Sequence, residues 1–230
     1  MKISEKILAY RIYLVLAALF ITSLVVSNLI FLKFFYWNPF DIFPFKISVG
    51  ILPYPITFLI TDLISEIYGK KKANQVVVVG IFAAFFSMGI VFVANMVPAM
   101  DTSAVNDETF TLVFGLSPVA VLASMLAYLF AQFIDIRIYH FWKAYTSGKY
   151  LWLRNNFSTF TSQFIDTFTV ITLLCSFGAL PWSDYYYLII SGFLFKIIVA
   201  ALDTPLLYLF VWMFRKKFNL KIGEELNLDI

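Results

Sequence analysis

Long apolar runs separated by short polar segments make up most of the chain. A run of about 20 mostly apolar residues is long enough to cross the hydrocarbon core of a bilayer as an α-helix. The pattern therefore predicts an all-α integral membrane protein, a six-transmembrane-helix bundle that forms a single domain over residues 1–230. The predicted spans are 9–32, 47–69, 74–97, 112–138, 157–180 and 185–214.

The connection between the first two spans, residues 33–46, is rich in aromatic residues and contains two prolines. Aromatic side chains favour the membrane–water interface, and irregular backbone at membrane depth is tolerated where it lines a cavity. This segment is expected to be either an interfacial loop or a re-entrant segment.

The distribution of basic residues predicts how the chain is oriented. Fourteen of the 17 basic residues lie near the N-terminus, at 70–72, at 137–154 or near the C-terminus. Lys33 and Lys46 lie in the connection on the opposite side, and Lys196 lies inside the sixth span. Because cytoplasmic segments carry the excess of lysine and arginine, both termini are expected to be cytoplasmic.

Composition excludes several classes of protein. The chain is 61% hydrophobic and 13% charged, whereas soluble domains average about 45–50% and about 25%. The net charge of +3 comes without a basic cluster interleaved with aromatic residues, so no nucleic-acid partner is expected. With one cysteine (Cys175) and one histidine (His140), neither a cysteine-rich metal site nor two-histidine haem ligation can form. No cofactor, metal or catalytic residue is expected.

Polar side chains inside the spans are the candidate functional residues, because ionisable groups in hydrocarbon are costly. Asp62 and Glu66 are four residues apart and share a face of the second span. Glu66 is expected near the cytoplasmic surface, where pairing with a lysine of 70–72 is the alternative to a functional role. Asp62 is expected about one turn deeper.

The tetrapeptide Gln-Phe-Ile-Asp occurs at 132–135 and again at 163–166. A chain so rich in Phe and Ile is expected to repeat a tetrapeptide about once by chance, so we infer no duplication. Gln132 and Asp135 are expected near the cytoplasmic mouth, where an ion pair between Asp135 and Arg137 is an alternative. Asp166 lies about ten residues into its span, hence about 15 Å deep.

Lys196 is expected at the same depth as Asp166, from the sixth span. We predict that the two face each other and neutralise each other until substrate or a proton intervenes. In the first span, Asn28 offers an amide for hydrogen bonding to a ligand.

Carboxylates and carboxamides in an aromatic-rich cavity suit a flat heterocycle with adjacent N–H donors, such as a guanine-like edge. A cationic amine or a metal ion would suit the same groups. The residues alone leave these ligand classes open.

Several motifs together resemble one family over nearly the whole chain. They are Thr57-Phe-Leu-Ile-Thr-Asp-Leu-Ile-Ser-Glu-Ile-Tyr-Gly-Lys70, Gln132-Phe-Ile-Asp135, Leu151-Trp-Leu-Arg-Asn-Asn-Phe-Ser-Thr159 and Ser162-Gln-Phe-Ile-Asp-Thr167. In order and spacing they are similar to the vitamin-uptake-like family of queuosine precursor transporters.

The resemblance implies an importer in the inner membrane of a bacterium or archaeon. Its substrates would be 7-cyano-7-deazaguanine and 7-aminomethyl-7-deazaguanine, which feed queuosine biosynthesis. Asp166 with Gln163 would then bind the guanine-like edge, and Asp62 with Glu66 would handle the aminomethyl cation or a proton. Together with the residues that the resemblance adds, the predicted substrate-binding residues are Asn28, Asp62, Glu66, Gln132, Asp135, Arg154, Asn155, Gln163, Asp166 and Lys196.

Two alternatives remain at this stage. The chain could be the substrate-binding membrane subunit of an importer powered by a separate ATPase, since it lacks a phosphate-binding Gly-rich loop of its own. It could also be an intramembrane enzyme that binds divalent metal through its carboxylates. The oligomeric state, including a homo-oligomer, is left open.

Overall fold

The computed structural model describes residues 3–41, 43–115, 118–178 and 180–226, without the side chains of residues 40 and 118–124. Helices make up most of it. In chain order the elements are α1 (Ile3–Ile30), β1 (Phe34–Trp37), β2 (Phe45–Ser48), α2 (Tyr54–Ile67), α3 (Gly69–Asn95), α4 (Asp107–Phe114), α5 (Pro118–Tyr145), α6 (Leu151–Ser176) and α7 (Tyr185–Phe218). Short 3-10 helices occupy Pro39–Asp41, Val49–Ile51 and Trp182–Asp184.

Four helical segments among the described residues are long and apolar enough to cross a membrane. They are Ile3–Ile30, Val49–Ile67, Gly69–Asn95 and Trp182–Phe218. Large apolar side chains on their outer faces are exposed, such as Leu19, Phe82 and Leu202. A soluble surface would not leave so many uncovered, so the chain is a multi-pass helical membrane protein.

Helices α5 and α6 are 28 and 26 residues long, and they pack against each other more extensively than any other pair. Both carry polar side chains among their buried residues. On α6 the buried face includes Arg154, Gln163 and Asp166. The polar stripe of each helix is therefore turned into the protein, and the apolar side chains Phe164 and Phe168 are exposed.

Residues 33–46 differ from the prediction of a loop or re-entrant segment. Strands β1 and β2 form an antiparallel hairpin, with Phe34 opposite Ser48 and Trp37 opposite Phe45. Lys46 Nζ lies 2.5 Å from Asp184 Oδ2, which ties the hairpin to the segment before α7. Because aromatic residues have high β-propensity and strand pairing satisfies the backbone, the segment folds as a small sheet.

The fourth predicted span, 112–138, is wrong in its bounds. Helix α4 ends at Phe114, residues 116 and 117 lie outside the described residues, and α5 continues to Tyr145. Arg137 is exposed on the surface of α5, so its charge does not end the helix. Residue 179, within the fifth predicted span, also lies outside the described part of the chain.

The C-terminal segment packs back against the bundle. The backbone N–H of Leu226 donates to the carbonyl of Ile67 over 2.7 Å, and the Leu226 side chain is buried. Lys143 of α5 lies 2.7 Å from Glu225. These contacts join the end of α2, α5 and the C-terminal segment.

Candidate functional site

An ion pair between α6 and α7 lies at the centre of the candidate site. Lys196 Nζ is 2.7 Å from Asp166 Oδ2, and both side chains are buried. The Tyr54 hydroxyl donates to the same oxygen over 2.7 Å, and Lys196 Nζ lies 4.5 Å from the centre of the Tyr54 ring. The predicted pairing of Asp166 with Lys196 is confirmed, whereas a role in binding stays a prediction.

Two cavities meet at this ion pair. The larger one has a volume of about 180 Å³ and reaches from the hairpin to Tyr54, Asp166 and Lys196. The smaller one, of about 20 Å³, lies beyond Tyr54 and Lys196 and is also lined by Asp62, Gln163 and Thr159. The cluster of Tyr54, Asp166 and Lys196 thus separates the two spaces.

Acceptor atoms in these walls have no hydrogen-bond partner among the described residues. They include Asp166 Oδ1 and Gln163 Oε1, and both side chains are nearly fully buried. Since a buried polar atom without a partner costs free energy, such atoms need a proton, a water or a ligand. In the larger cavity the rings of Tyr54 and Tyr128, 5.2 Å apart, add aromatic surface.

Glu66, itself fully buried, lies in a separate charge cluster. One of its oxygens is 2.7 Å from Arg154 and 2.6 Å from Arg215, while the other accepts from the Tyr139 hydroxyl over 3.1 Å. Lys143 Nζ is 3.7 Å from the same carboxylate. The predicted alternative, a pair with a lysine of 70–72, is wrong, because arginines from α6 and α7 fill the carboxylate's coordination.

Asp135 is not near a helix end as predicted. It is fully buried, ten residues before the end of α5, and accepts from Ser162 over 3.0 Å. Its carboxyl group also interacts with that of Asp62. No ion pair with Arg137 occurs within the described ranges, so that alternative is wrong as well. The glutamine and aspartate residues of both Gln-Phe-Ile-Asp copies are thus buried.

The remaining predicted residues are spread over the walls and the packing behind them. Asn28 lines the larger cavity and donates to the Leu24 carbonyl over 2.9 Å. Asn155 lines the smaller cavity and donates to Thr204 over 3.4 Å. Gln132 lies behind the walls and donates to the Tyr128 hydroxyl over 2.8 Å. Arg154 donates to the Gly148 and Lys149 carbonyls over 3.0 and 2.8 Å.

Sequence reasoning missed four residues in these clusters, one of which is Tyr139, whose hydroxyl donates to Glu66. Tyr54 stands between Pro53 and Pro55 and gives no polar signal, while Lys143 and Arg215 were counted only as cytoplasmic charge.

The fold and these buried polar clusters define a multi-pass membrane transporter. A family described as "Putative vitamin uptake transporter" matches residues 48–210, which is most of the chain. The protein belongs to this family, and its members are transporters rather than enzymes. The chain is also 29% identical over 169 residues to a protein of Bacillus subtilis (strain 168) named "Probable queuosine precursor transporter", covering 73% of each chain. No solved structure matches.

Proposed function

We propose that the protein imports the queuosine precursors 7-cyano-7-deazaguanine and 7-aminomethyl-7-deazaguanine across a bacterial cytoplasmic membrane. The observation that carries the proposal is the Asp166 carboxylate, buried in the wall of a cavity of about 180 Å³ with Oδ1 left without a partner among the described residues. The name of the Bacillus subtilis relative supports the same substrate class.

The size of the larger cavity suits a bicyclic base. A cavity needs about 10–15 Å³ to hold one water molecule, so 180 Å³ has room for roughly a dozen. A heterocycle with a short substituent occupies a comparable space. The Tyr54 and Tyr128 rings would contact its faces.

Recognition would use buried acceptor atoms. The ring N–H and exocyclic amine of a 7-deazaguanine are neighbouring donors, and a carboxylate accepts two parallel hydrogen bonds. In the larger cavity Asp166 Oδ1, which lacks a partner in the described part of the chain, would accept from one of these donors. Gln163 Oε1, which also lacks a partner there, lines the smaller cavity and would accept from the substrate after it has passed the ion pair. Lys196, 2.7 Å from the other carboxylate oxygen, would hold Asp166 in place.

Movement past the ion pair would complete transport. The larger cavity lies toward the hairpin and the smaller one toward Asp203, so Tyr54, Asp166 and Lys196 block the path between them. Substrate that bonds to Asp166 would weaken its link to Lys196 and let α6 and α7 separate on the far side. Glu66, held by two arginines, would anchor the end of the bundle in this motion.

We also propose six spans with both termini in the cytoplasm. The spans would be α1, α2 with the preceding 3-10 helix, α3, α5, α6 and α7. The concentration of basic residues at one end of the bundle supports this orientation. The larger cavity would then open from the external side.

Reconstitution of the purified chain in liposomes tests the proposal. Liposomes loaded with unlabelled 7-cyano-7-deazaguanine should accumulate the labelled compound by counterflow, and adenine should not compete, because it lacks the adjacent ring N–H and exocyclic amine. Counterflow without an ATPase would exclude a subunit that needs one. Absence of counterflow in correctly folded protein would contradict the proposal.

A further inference from the structure

Four carboxylates among the described residues are fully or nearly fully buried, and they are compensated unequally. Glu66 pairs with Arg154 and Arg215, and Asp166 pairs with Lys196. Asp62 and Asp135 are only 3% and 0% exposed. Neither of them forms a salt bridge with another residue in the described part of the chain. Two uncompensated charges at such burial would be very costly.

A proton shared between the two carboxyl groups would lower this cost. The Asp62 and Asp135 carboxyl groups are both buried, and they interact with each other. Two carboxylates only accept hydrogen bonds, so the contact is favourable when one of them carries a proton and donates. The Ser162 hydroxyl donates to Asp135 Oδ1 over 3.0 Å, which supports the ionised partner.

The pair is also connected to the transport path. Asp62 and Thr159 line the smaller cavity together with Lys196, and its volume of about 20 Å³ holds one or two waters. Asp62 Oδ1, Asp135 Oδ2 and Thr159 Oγ1 have no partner among the described residues. A proton can therefore reach the pair from the space beside the substrate-binding ion pair.

Charged and titratable groups of the neighbouring helices surround the pair. Arg154 of α6 interacts with Asp62, but its guanidinium already bonds to Glu66 and to two backbone carbonyls. Among the described residues these groups include Glu66 on α2, Tyr128 and Tyr139 on α5, Arg154 and Asp166 on α6, and Lys196 and Asp203 on α7.

We propose that Asp62 and Asp135 form the proton-coupling site of the transporter, which carries one proton inward with each substrate. The proton passes the cluster of Tyr54, Asp166 and Lys196 together with the substrate, binds the shared site beyond it and leaves to the cytoplasm, and no covalent bond to substrate forms. With the proton bound the pair carries a single negative charge and the loaded bundle can rearrange. This inference rests on the proposed transport of 7-deazaguanines.

Liposomes with an imposed pH gradient test the coupling. Wild-type protein should accumulate labelled 7-cyano-7-deazaguanine about tenfold for a gradient of one pH unit, acid outside, because one proton moves with each substrate. In Asp62→Asn and Asp135→Asn the ratio of uptake with the gradient to uptake at equal pH should fall to about one, whatever their rate of counterflow. Asp101→Asn, an exposed carboxylate removed in the same way, should behave as wild type.

Ser162→Ala gives a second measurement if the asparagine variants fail to fold. It removes the hydroxyl that stabilises the ionised form of Asp135, so proton release needs higher pH. The midpoint of the pH dependence of uptake should move to higher pH, a change that a purely structural role of Ser162 would not cause. A pH midpoint of uptake that is the same in Ser162→Ala and in the wild type would contradict the proposed proton-coupling site.

The outcomes separate the two proposals. Failure of wild-type counterflow would contradict transport of this substrate class itself. Two other results would overturn only the proton site. One is normal wild-type counterflow with accumulation driven by a sodium gradient. The other is accumulation driven by a pH gradient in Asp62→Asn and Asp135→Asn at the wild-type level.

Discussion

Lys196 of α7 and Asp166 of α6 form an ion pair 2.7 Å long at the boundary between two cavities. Their side chains are 9% and 3% exposed, so each is the main charge compensation of the other. A buried pair is strongly destabilised when only one partner is removed. Substitutions in this pair therefore test both the stability of the fold and the role of the site in transport.

Replacement of Lys196 by methionine should abolish transport while membrane insertion persists. The apolar spans are unchanged, but Asp166 loses its compensation, which costs on the order of 3–5 kcal/mol if it stays charged. Uptake into liposomes and the amount of protein in isolated membranes measure the two effects. Lys33→Met, which removes an exposed lysine, is the matched control.

A double variant separates charge from function. Lys196→Met with Asp166→Asn removes both charges and should recover most of the lost thermal stability, yet uptake should remain absent. Wild-type uptake in Lys196→Met would show that the pair has no role in transport.

The Tyr54 hydroxyl should help to position Asp166. Tyr54→Phe keeps the ring beside Lys196 but removes a hydrogen bond to a charged group, typically about 1.5–3 kcal/mol. We expect KM for uptake to rise roughly tenfold with little change in the maximal rate. If KM and thermal stability both equal those of the wild type, the hydroxyl does not position the carboxylate.

Glu66 should contribute mainly to stability. In Glu66→Gln the fully buried Arg154 loses its carboxylate partner, and Arg215 loses the same partner. The expected loss is on the order of 3 kcal/mol, seen as a lower melting temperature in detergent. Glu108→Gln, on the exposed helix α4, should melt as the wild type does. Equal melting of the two variants would contradict this assignment.

The pairing of Asp166 with Lys196 could be predicted because it depends on depth alone. Each residue lies near the middle of a long apolar run, and two opposite charges at the same depth in a bundle lower their cost by meeting. The partners of Glu66 could not be predicted in the same way. Arg154 and Arg215 lie near helix ends, where positive residues are also expected simply as cytoplasmic charge.

The hairpin and the length of α5 were missed for local reasons. In residues 33–46 apolar and aromatic side chains occur without a clear period of two, so the strands Phe34–Trp37 and Phe45–Ser48 gave little signal. In α5, the charge of Arg137 suggested an end of the span. Its side chain instead lies on the exposed face, so the helix continues and Asp135 becomes central rather than terminal.

Close packing of the first helix against the segment before α2 shapes the larger cavity. A Cβ atom on Gly50 would lie 2.6 Å from the Ser27 carbonyl oxygen, a backbone atom that cannot move aside. Gly50→Ala should therefore displace α1 and lower both thermal stability and uptake. On Gly89, in α3, a Cβ would meet nothing within 4 Å, so Gly89→Ala should be neutral or stabilise the protein by about 1 kcal/mol. Melting temperatures that do not distinguish the two variants would contradict the described packing.

Queuosine formation in cells tests the central claim most directly. A strain that can neither synthesise nor import 7-deazaguanines would express this chain and receive 7-cyano-7-deazaguanine at low concentration. Queuosine in its tRNA would then be measured. We predict queuosine with the wild-type chain and none with Lys196→Met present at the same level in the membrane. Absence of queuosine in both strains, with the wild-type protein folded in the membrane, would contradict the account.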